Sequence, residues 1–345
     1  MAGERRPPAV ARVLERVTKT AREHQMFEHG DAVLVCVSGG PDSVCLLECL
    51  IRVRRIFRIR LEIFHFDHAL RDASARDAAY VRRLAERHDV PFHTRRAADE
   101  PPAGHSVEAW AAAARMNASN DVRRKIGAAV IAEGHTLDDQ AETVLLNIVR
   151  GTGLEGAAGI APGTRDHGIV QPLLAVTREE VEACCRALGL RPRRDPMNED
   201  RRFLRAAIRH DVLPAIERAT GREVRSSIAR TAELLQADLD ELRSAAVLAD
   251  RDLTTHHDQN EVRFDAARLA ALPPPVATRV VRLAVYRILS SDSAAPAPWT
   301  KSVIDAVLDL ARGRPGRQRD LPNGSTAVRE REYVRVSLAR SSSGG

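Results

Sequence analysis

Short apolar runs recur through the first two hundred residues, separated by longer stretches whose apolar positions lie three and four apart. Val33–Val37 is apolar at every position and reads as a buried strand. Arg60–Phe66, Val90–Thr94 and Ala128–Ala132 read as further strands. Helical spacing marks Pro8–Phe27, with Val10, Val13, Leu14 and Val17 on one side. It also marks Val44–Leu50, Ala73–His88, Val107–Ile126 and Leu137–Arg150. Strands alternating with helices predict an α/β fold, a doubly wound, mainly parallel sheet with helices on both faces. Val170–Leu174 is a short further segment, and Arg178–Leu188 and Phe203–Ile216 return to helix.

Past that point the alternation stops. Val224–Asp250 reads as one long helix leading into a second domain. Breaks follow at residues 272–276 and 290–298. Leu321–Gly324 with Tyr333–Ser337 suggests a terminal pair of short strands, and Ser341–Gly345 a disordered tail. The expected organisation is an N-terminal helix over 1–30, a nucleotide-binding catalytic domain over 31–217 and a linker helix over 218–250. A mainly helical C-terminal domain over 251–340 and the tail over 341–345 complete it.

Composition changes this picture little. Hydrophobic residues make up 44% and aromatics only 3%, so the cores must be built from Ala, Leu, Val and Ile. A net charge of +6 favours a polyanionic partner without demanding one. The five cysteines contain no C-x-x-C pair. Cys45 and Cys49, one helical turn apart beside Leu46 and Leu50, read as core, and neither a disulfide framework nor a structural zinc site is expected. No stretch has the length of a membrane span, and Met1–Pro8 is charged and lacks an apolar signal region, so a cytoplasmic home is expected.

The chemistry concentrates where the first strand ends. Ser38-Gly39-Gly40-Pro41-Asp42-Ser43 joins that strand to a helix. Two glycines let backbone amides turn into one concavity, and the following helix aims its positive end there. Ser38 and Ser43 add hydroxyl donors. Asp42 suits a phosphate only with a cation between them, so Mg²⁺ is implied. The loop suits the pyrophosphate part of a nucleotide, and is neither a Walker A loop nor a G-x-G-x-x-G fingerprint. A second cluster, Gly134-His135-Thr136-Leu137-Asp138-Asp139-Gln140-Ala141-Glu142-Thr143, follows the Ala128–Ala132 strand. His135, Asp139, Glu142 and Thr143 recur at helical intervals and can share a face. Their carboxylates can hold Mg²⁺ or orient an amine; alternatively Thr136 or Asp138 simply caps a helix. Ser38, Asp67 and His135 all fall at predicted strand ends, where ligands bind in such sheets.

The loop resembles the PP-loop of the ATP pyrophosphatases, which cleave ATP between the α and β phosphates. With FHFDHALR, GHTLDDQAET, RGTGLEG and DPMNEDRRFLRAAIRHDVLP, residues 30–215 resemble a tRNA(Ile)-lysidine synthetase. That resemblance implies a carbon–nitrogen ligase that adenylates the wobble cytidine of a CAU-anticodon isoleucine tRNA with ATP. The amine of L-lysine then displaces AMP. It implies Ser38–Ser43 at the ATP, Asp42 at the metal and phosphates, and Asp67 and His68 near the nucleotide. Asp139, Arg205 and His135 fall near the chemistry, and Glu142, Thr143, Arg115 and Arg209 near the substrates. The oligomeric state stays open, a homodimer among the alternatives.

Departures from the family pattern are visible. After Glu108 the first Arg becomes Ala112, Arg115 is kept, and the Tyr becomes Met116. The Arg-Pro-Leu segment is Gln171-Pro172-Leu173, and Ala206 follows Arg205 where Asn or Thr is commoner. A paralogue adenylating a small amide or nucleobase is the rival reading. A sulfur-transferring relative is disfavoured because C-x-x-C is missing, and a non-catalytic nucleotide-binding module because the acids remain. Arg191, Arg193, Arg194, Arg201, Arg202, Arg205 and Arg209 form a basic run, which is either a track for RNA phosphates or a solvated face.

Overall fold

The structure, a computed structural model, describes residues 7–68, 74–97, 107–193, 201, 203–258, 260–289 and 300–337. Arg194, Arg202, residues 69–71, the break at 290–298 and the expected tail at 341–345 lie outside these residues. Two compact units are present, dividing at residues 236 and 237.

The first unit starts with helix α1 (Pro8–Glu23), followed by β1 (Ala32–Cys36), α2 (Pro41–Phe57), β2 (Arg60–Asp67), α3 (Ser74–His88) and β3 (Phe92–Arg96). Then come α4 (Val107–Ile126), β4 (Val130–Ala132), α5 (Leu137–Val149), the short α6 (Leu154–Ala157), β5 (Ile169–Val170) and α7 (Arg178–Ala187). The five strands form one parallel sheet in the order β3-β2-β1-β4-β5. Val33 of β1 is paired with Leu61 on one side and Val130 on the other. Successive strands step outward from β1 in one direction, and β4 begins on its opposite flank. The chain therefore changes winding direction between β1 and β4, opening a crevice at their C-terminal ends.

Period-two alternation explains how the sheet is sealed on both faces. Val33, Val35 and Val37 point into a core shared with α1, α2, α3 and α7, whereas Ala32 and Leu34 face a smaller core under α4, with Phe64, Phe66, Val122 and Ile131. Such cores are built of Val, Leu, Ile and Ala, as the low aromatic content requires.

The expected helix over 203–216 is three pieces: α8 (Leu204–Ala207), a π-type turn at Ile208–Val212, and α9 (Leu213–Thr220). The long helix α10 (Arg225–Leu253) follows, with the division between units inside it.

The second unit adds β6 (Thr254–His257), β7 (Glu261–Asp265), α11 (Ala266–Ala271), α12 (Pro274–Leu289), α13 (Lys301–Arg312), β8 (Gln318–Asp320), β9 (Thr326–Arg329) and β10 (Tyr333–Ser337). Its helices pack on a five-stranded antiparallel sheet, order β6-β7-β10-β9-β8, where only a terminal strand pair was expected. Residues 322–324 form a 3₁₀ turn, and β10 pairs with β7 on one side and β9 on the other. The missed strands are short, and β8 is polar and exposed throughout, so no apolar alternation announces it. Val262, Phe264, Ala327, Val334 and Val336 supply the buried side of this sheet. Among the described residues no helix is long and apolar enough to cross a membrane.

One ion pair closes the N-terminal edge of the parallel sheet. Arg165 donates to both oxygens of the buried Asp31 at 3.0–3.2 Å, and the Glu28 amide donates to Asp31 Oδ2 at 2.8 Å. Burial alone would raise the Asp31 pKa, but these bonds hold it below the ordinary value. A carboxylate depressed on folding stabilises above its unfolded pKa, and this stabilisation is lost as pH falls through the folded value. Asp31→Asn should therefore lower Tm at neutral pH, and the gap to wild type should close as pH falls below about 4, measured by thermal melts across pH.

Candidate active site

Two turns meet at the crevice between β1 and β4. The first, residues 38–43, leaves β1 and enters α2. Gly39 takes φ +96°, which a side chain would resist, and lets the loop fold back. Its amide donates to Ser43 Oγ at 3.2 Å, and the Gly40 amide donates to Ser38 Oγ at 3.3 Å. Ser38 and Ser43 hydroxyls lie 3.1 Å apart. Helix α2 starts after Gly40, which has no side chain to cap with, so its positive end faces this hydroxyl-lined turn. His65 fixes the approach by bonding the Val37 carbonyl through Nδ1 at 2.8 Å.

The second turn, residues 133–136, leaves β4 and enters α5. Gly134 brings the two together: a Cβ there would lie 3.2 Å from the Asp42 carbonyl and the Ser43 amide. Thr136 is the N-cap of α5. Its Oγ1 accepts from the Asp139 amide at 3.3 Å, while Asp139 Oδ2 accepts from the Thr136 amide at 2.9 Å and hydroxyl at 2.8 Å. The capping alternative is thus realised, with Thr136 and Asp139 as the pair. The expected single face of His135, Asp139, Glu142 and Thr143 is corrected at one position. His135 precedes the helix, so helical spacing does not govern where it points.

Asp139 does more than cap. Its Oδ1 accepts from Arg178 at 3.2 Å, Arg205 at 3.2 Å and Arg209 at 3.4 Å. One turn along α5, Glu142 accepts from Arg205 Nε at 3.0 Å and from Arg209 at 2.6 and 2.7 Å. Arg205 and Arg209, four apart, share a face of the α8 and π-type segment, and Arg178 reaches over from the first turn of α7. The Arg178 amide is held by Asp138 Oδ2 at 2.7 Å. Burial pushes the Asp139 pKa up, but the charges of Arg178, Arg205 and His135 and the Thr136 amide bring it below the ordinary value. Asp139 is therefore a fixed anion and a poor proton acceptor at neutral pH.

Asp42 is different. Burial dominates and raises its pKa to about 6, against the opposing charge of Arg178, whose Nη2 is 3.8 Å from Oδ2. Its Oδ1 is buried with no hydrogen-bond partner. A buried carboxylate oxygen of this kind at the mouth of a phosphate loop fits a hard divalent cation such as Mg²⁺, with Asp42 supplying the protein oxygen.

A relay lies beside this cluster. Gln171 Nε2 donates to Glu133 Oε2 at 3.1 Å, so Gln171 Oε1 is the acceptor toward His135 Nδ1 at 2.9 Å. That places the His135 proton on Nδ1 and leaves Nε2 as the basic nitrogen. Arg115 Nη2 approaches Glu133 at 3.9 Å. Thr143 is half-buried next to Glu142 on α5. Asp67 ends β2 at the same edge of the sheet and His68 follows it, with Asp67 Oδ2 3.8 Å from Arg96 and the His68 ring edge-on to Phe66 at 4.8 Å.

Arg178, Glu133 and Gln171 were missed as site residues by sequence reasoning. Thr177-x-x-Glu180 announces a helix start, and the structure forms that capping box, but nothing local says that Arg178 turns back to Asp139. The basic run is divided: Arg205 and Arg209 turn inward, Arg193 bonds Asp77 at 3.1 Å and holds the Gly39 carbonyl through its amide at 2.9 Å, and Arg201 bonds Asp211 at 2.9 Å.

The chain is similar to known proteins. Residues 10–216 match the model of the PP-loop domain family. A tRNA(Ile)-lysidine synthase of Symbiobacterium thermophilum is 38% identical over 337 residues, 95% of this chain and 67% of that protein. One from Clostridioides difficile is 34% identical, over 80% of this chain and 61% of that protein. One from Salinispora tropica is 37% identical, over 90% of this chain and 92% of that protein. Among solved structures, the U34-tRNA thiolase NcsA from Methanococcus maripaludis matches 66% of this chain and 80% of its own, with a TM-score of 0.56 and 20% identity, a likeness of fold alone. A PP-loop joined to the Gly134–Thr143 cluster, in a chain this similar along most of its length, belongs to the tRNA(Ile)-lysidine synthase family of PP-loop proteins.

Proposed function

We propose that this chain is a tRNA(Ile)-lysidine synthase. It adenylates the wobble cytidine of a CAU-anticodon isoleucine tRNA and then joins that base to L-lysine, releasing pyrophosphate and AMP. The observation that carries the site assignment is the crevice itself. The phosphate loop after β1 touches the Gly134–Asp139 turn after β4, and both are bordered by Arg178, Arg205 and Arg209.

The roles follow from the chemistry. The Ser38 and Ser43 hydroxyls, positioned by the Gly40 and Gly39 amides, and the positive end of α2 hold the β and γ phosphates. Mg²⁺ held by Asp42 would neutralise charge on the departing pyrophosphate. Arg205 and Arg209 carry positive charge to the transferring α phosphate, with Asp139 and Glu142 fixing their guanidinium planes so that no reorganisation is needed. Adenylation turns the oxygen on ring position 2 into part of a good leaving group. The lysine amine must then lose a proton, and His135 Nε2, oriented by Gln171, is the base. Asp67 and His68 border the nucleotide, Thr143 and Arg115 the base and anticodon. The second unit, with Arg314, Arg317, Arg319 and Arg331 exposed, docks the RNA. A cytoplasmic location goes with that substrate.

Radiolabelled lysine, ATP, Mg²⁺ and total tRNA incubated with the protein should place label in RNA. Label absent from RNA but present on a free nucleobase or amide would transfer the assignment to the paralogue reading. Asp139→Asn should cut ATP–pyrophosphate exchange by about 100-fold or more, and should also lower Tm, since it removes the anion shared by three guanidinium groups at a cost of about 3–5 kcal/mol. Gln171→Leu should leave that exchange intact. It should slow lysine transfer by about 10-fold, part of the ~100-fold or more a general base contributes, and alter the pH profile of transfer alone.

A further inference from the structure

Four of the five cysteines of the chain meet at one place. Cys45 and Cys49 stand one turn apart on α2. Cys184 and Cys185 are neighbours on α7, and the two helices pack together. The sulfurs of Cys45, Cys49 and Cys184 lie within 4.8 Å of one another, and all three residues are buried. The Cys185 thiol is directed instead to the Pro41 carbonyl at 3.7 Å.

Core packing accounts for a thiol in an apolar interior, but not for three sulfurs brought from two helices to one point. Metal–sulfur bonds of about 2.3 Å at a tetrahedral centre set sulfurs about 3.8 Å apart. The three sulfurs need only a small contraction to reach that spacing. Three thiolates around a divalent cation would leave one negative charge; Arg52, one turn beyond Cys49 on α2, forms its ion pair with the buried Glu48.

We propose that Cys45, Cys49 and Cys184 form a buried thiolate site for one thiophilic closed-shell cation of the Zn²⁺ type. Binding exchanges one proton from each of the three thiols for three sulfur–metal bonds, with no change of oxidation state. The cation would clamp α2 to α7. Helix α2 begins with Pro41, Asp42 and Ser43 of the phosphate loop, and α7 begins with Arg178, which bonds Asp139. The site is thus a brace behind the nucleotide crevice, and it stands independently of which acceptor is adenylated.

The test uses the full chain, reduced and stripped with a chelator, then titrated with Co²⁺. One equivalent should bring the visible bands and sulfur-to-cobalt charge transfer of thiolate-bound cobalt. Zn²⁺ should abolish both, raise Tm and release three protons per ion. Cys36→Ser should keep these signals and Cys184→Ser should lose them. If Cys184→Ser does not fold, the wild-type spectrum and proton count decide alone. Fully reduced protein without cobalt–sulfur bands, bands that survive Cys184→Ser, or a Cys49–Cys184 disulfide in freshly isolated protein would each overturn the proposal.

Discussion

The carboxylate of Asp139 is the point on which the crevice depends. One oxygen closes the first turn of α5 and the other collects three guanidinium groups from α7 and the α8 segment. These helices are far apart in sequence, and without a buried anion between them three positive charges could not be held so close. Glu142, almost wholly buried, doubles the negative charge and takes Arg205 and Arg209 in charge-assisted bonds. The arginines are therefore preorganised before any phosphate arrives, which is the condition under which electrostatic stabilisation is most effective.

Contrast between Asp139 and Asp42 gives the site its division of labour. Both are largely buried, yet one is driven below the ordinary carboxylate pKa and the other pushed to about 6. Desolvation is the leading influence on each; what differs is the number of positive partners. Asp139 has its hydrogen-bonding capacity used by protein, whereas Asp42 keeps one buried oxygen without a partner at the loop mouth.

Departures from the family pattern take on physical meaning in this setting. Gln171 sits between Glu133 and His135 and, having both a donor and an acceptor, orients each; an arginine there could only donate. Ala206 is buried in the helical segment between Arg205 and Arg209, where a small residue packs without disturbing either. Ala112 is exposed on α4 and Met116 half-buried, so neither change disrupts a core.

The parallel sheet, its helices and the phosphate loop were legible because each is written locally: an all-apolar strand, helical spacing, two glycines and a proline at a helix start. Polar edge strands such as β8 were not, since their pairing rather than their composition makes them strands. Asp42, Asp139 and Arg205 were legible as candidates through motif and resemblance, but not as partners. Which arginine meets which carboxylate, that Gln171 orients His135, and that Cys184 lands beside Cys45 and Cys49 were decided only when β4 took its place on the far side of β1 and α7 packed on α2. Hydrogen bonds and ion pairs across such distances have no period along the chain, so the sequence determines the elements and the tertiary structure determines their partners.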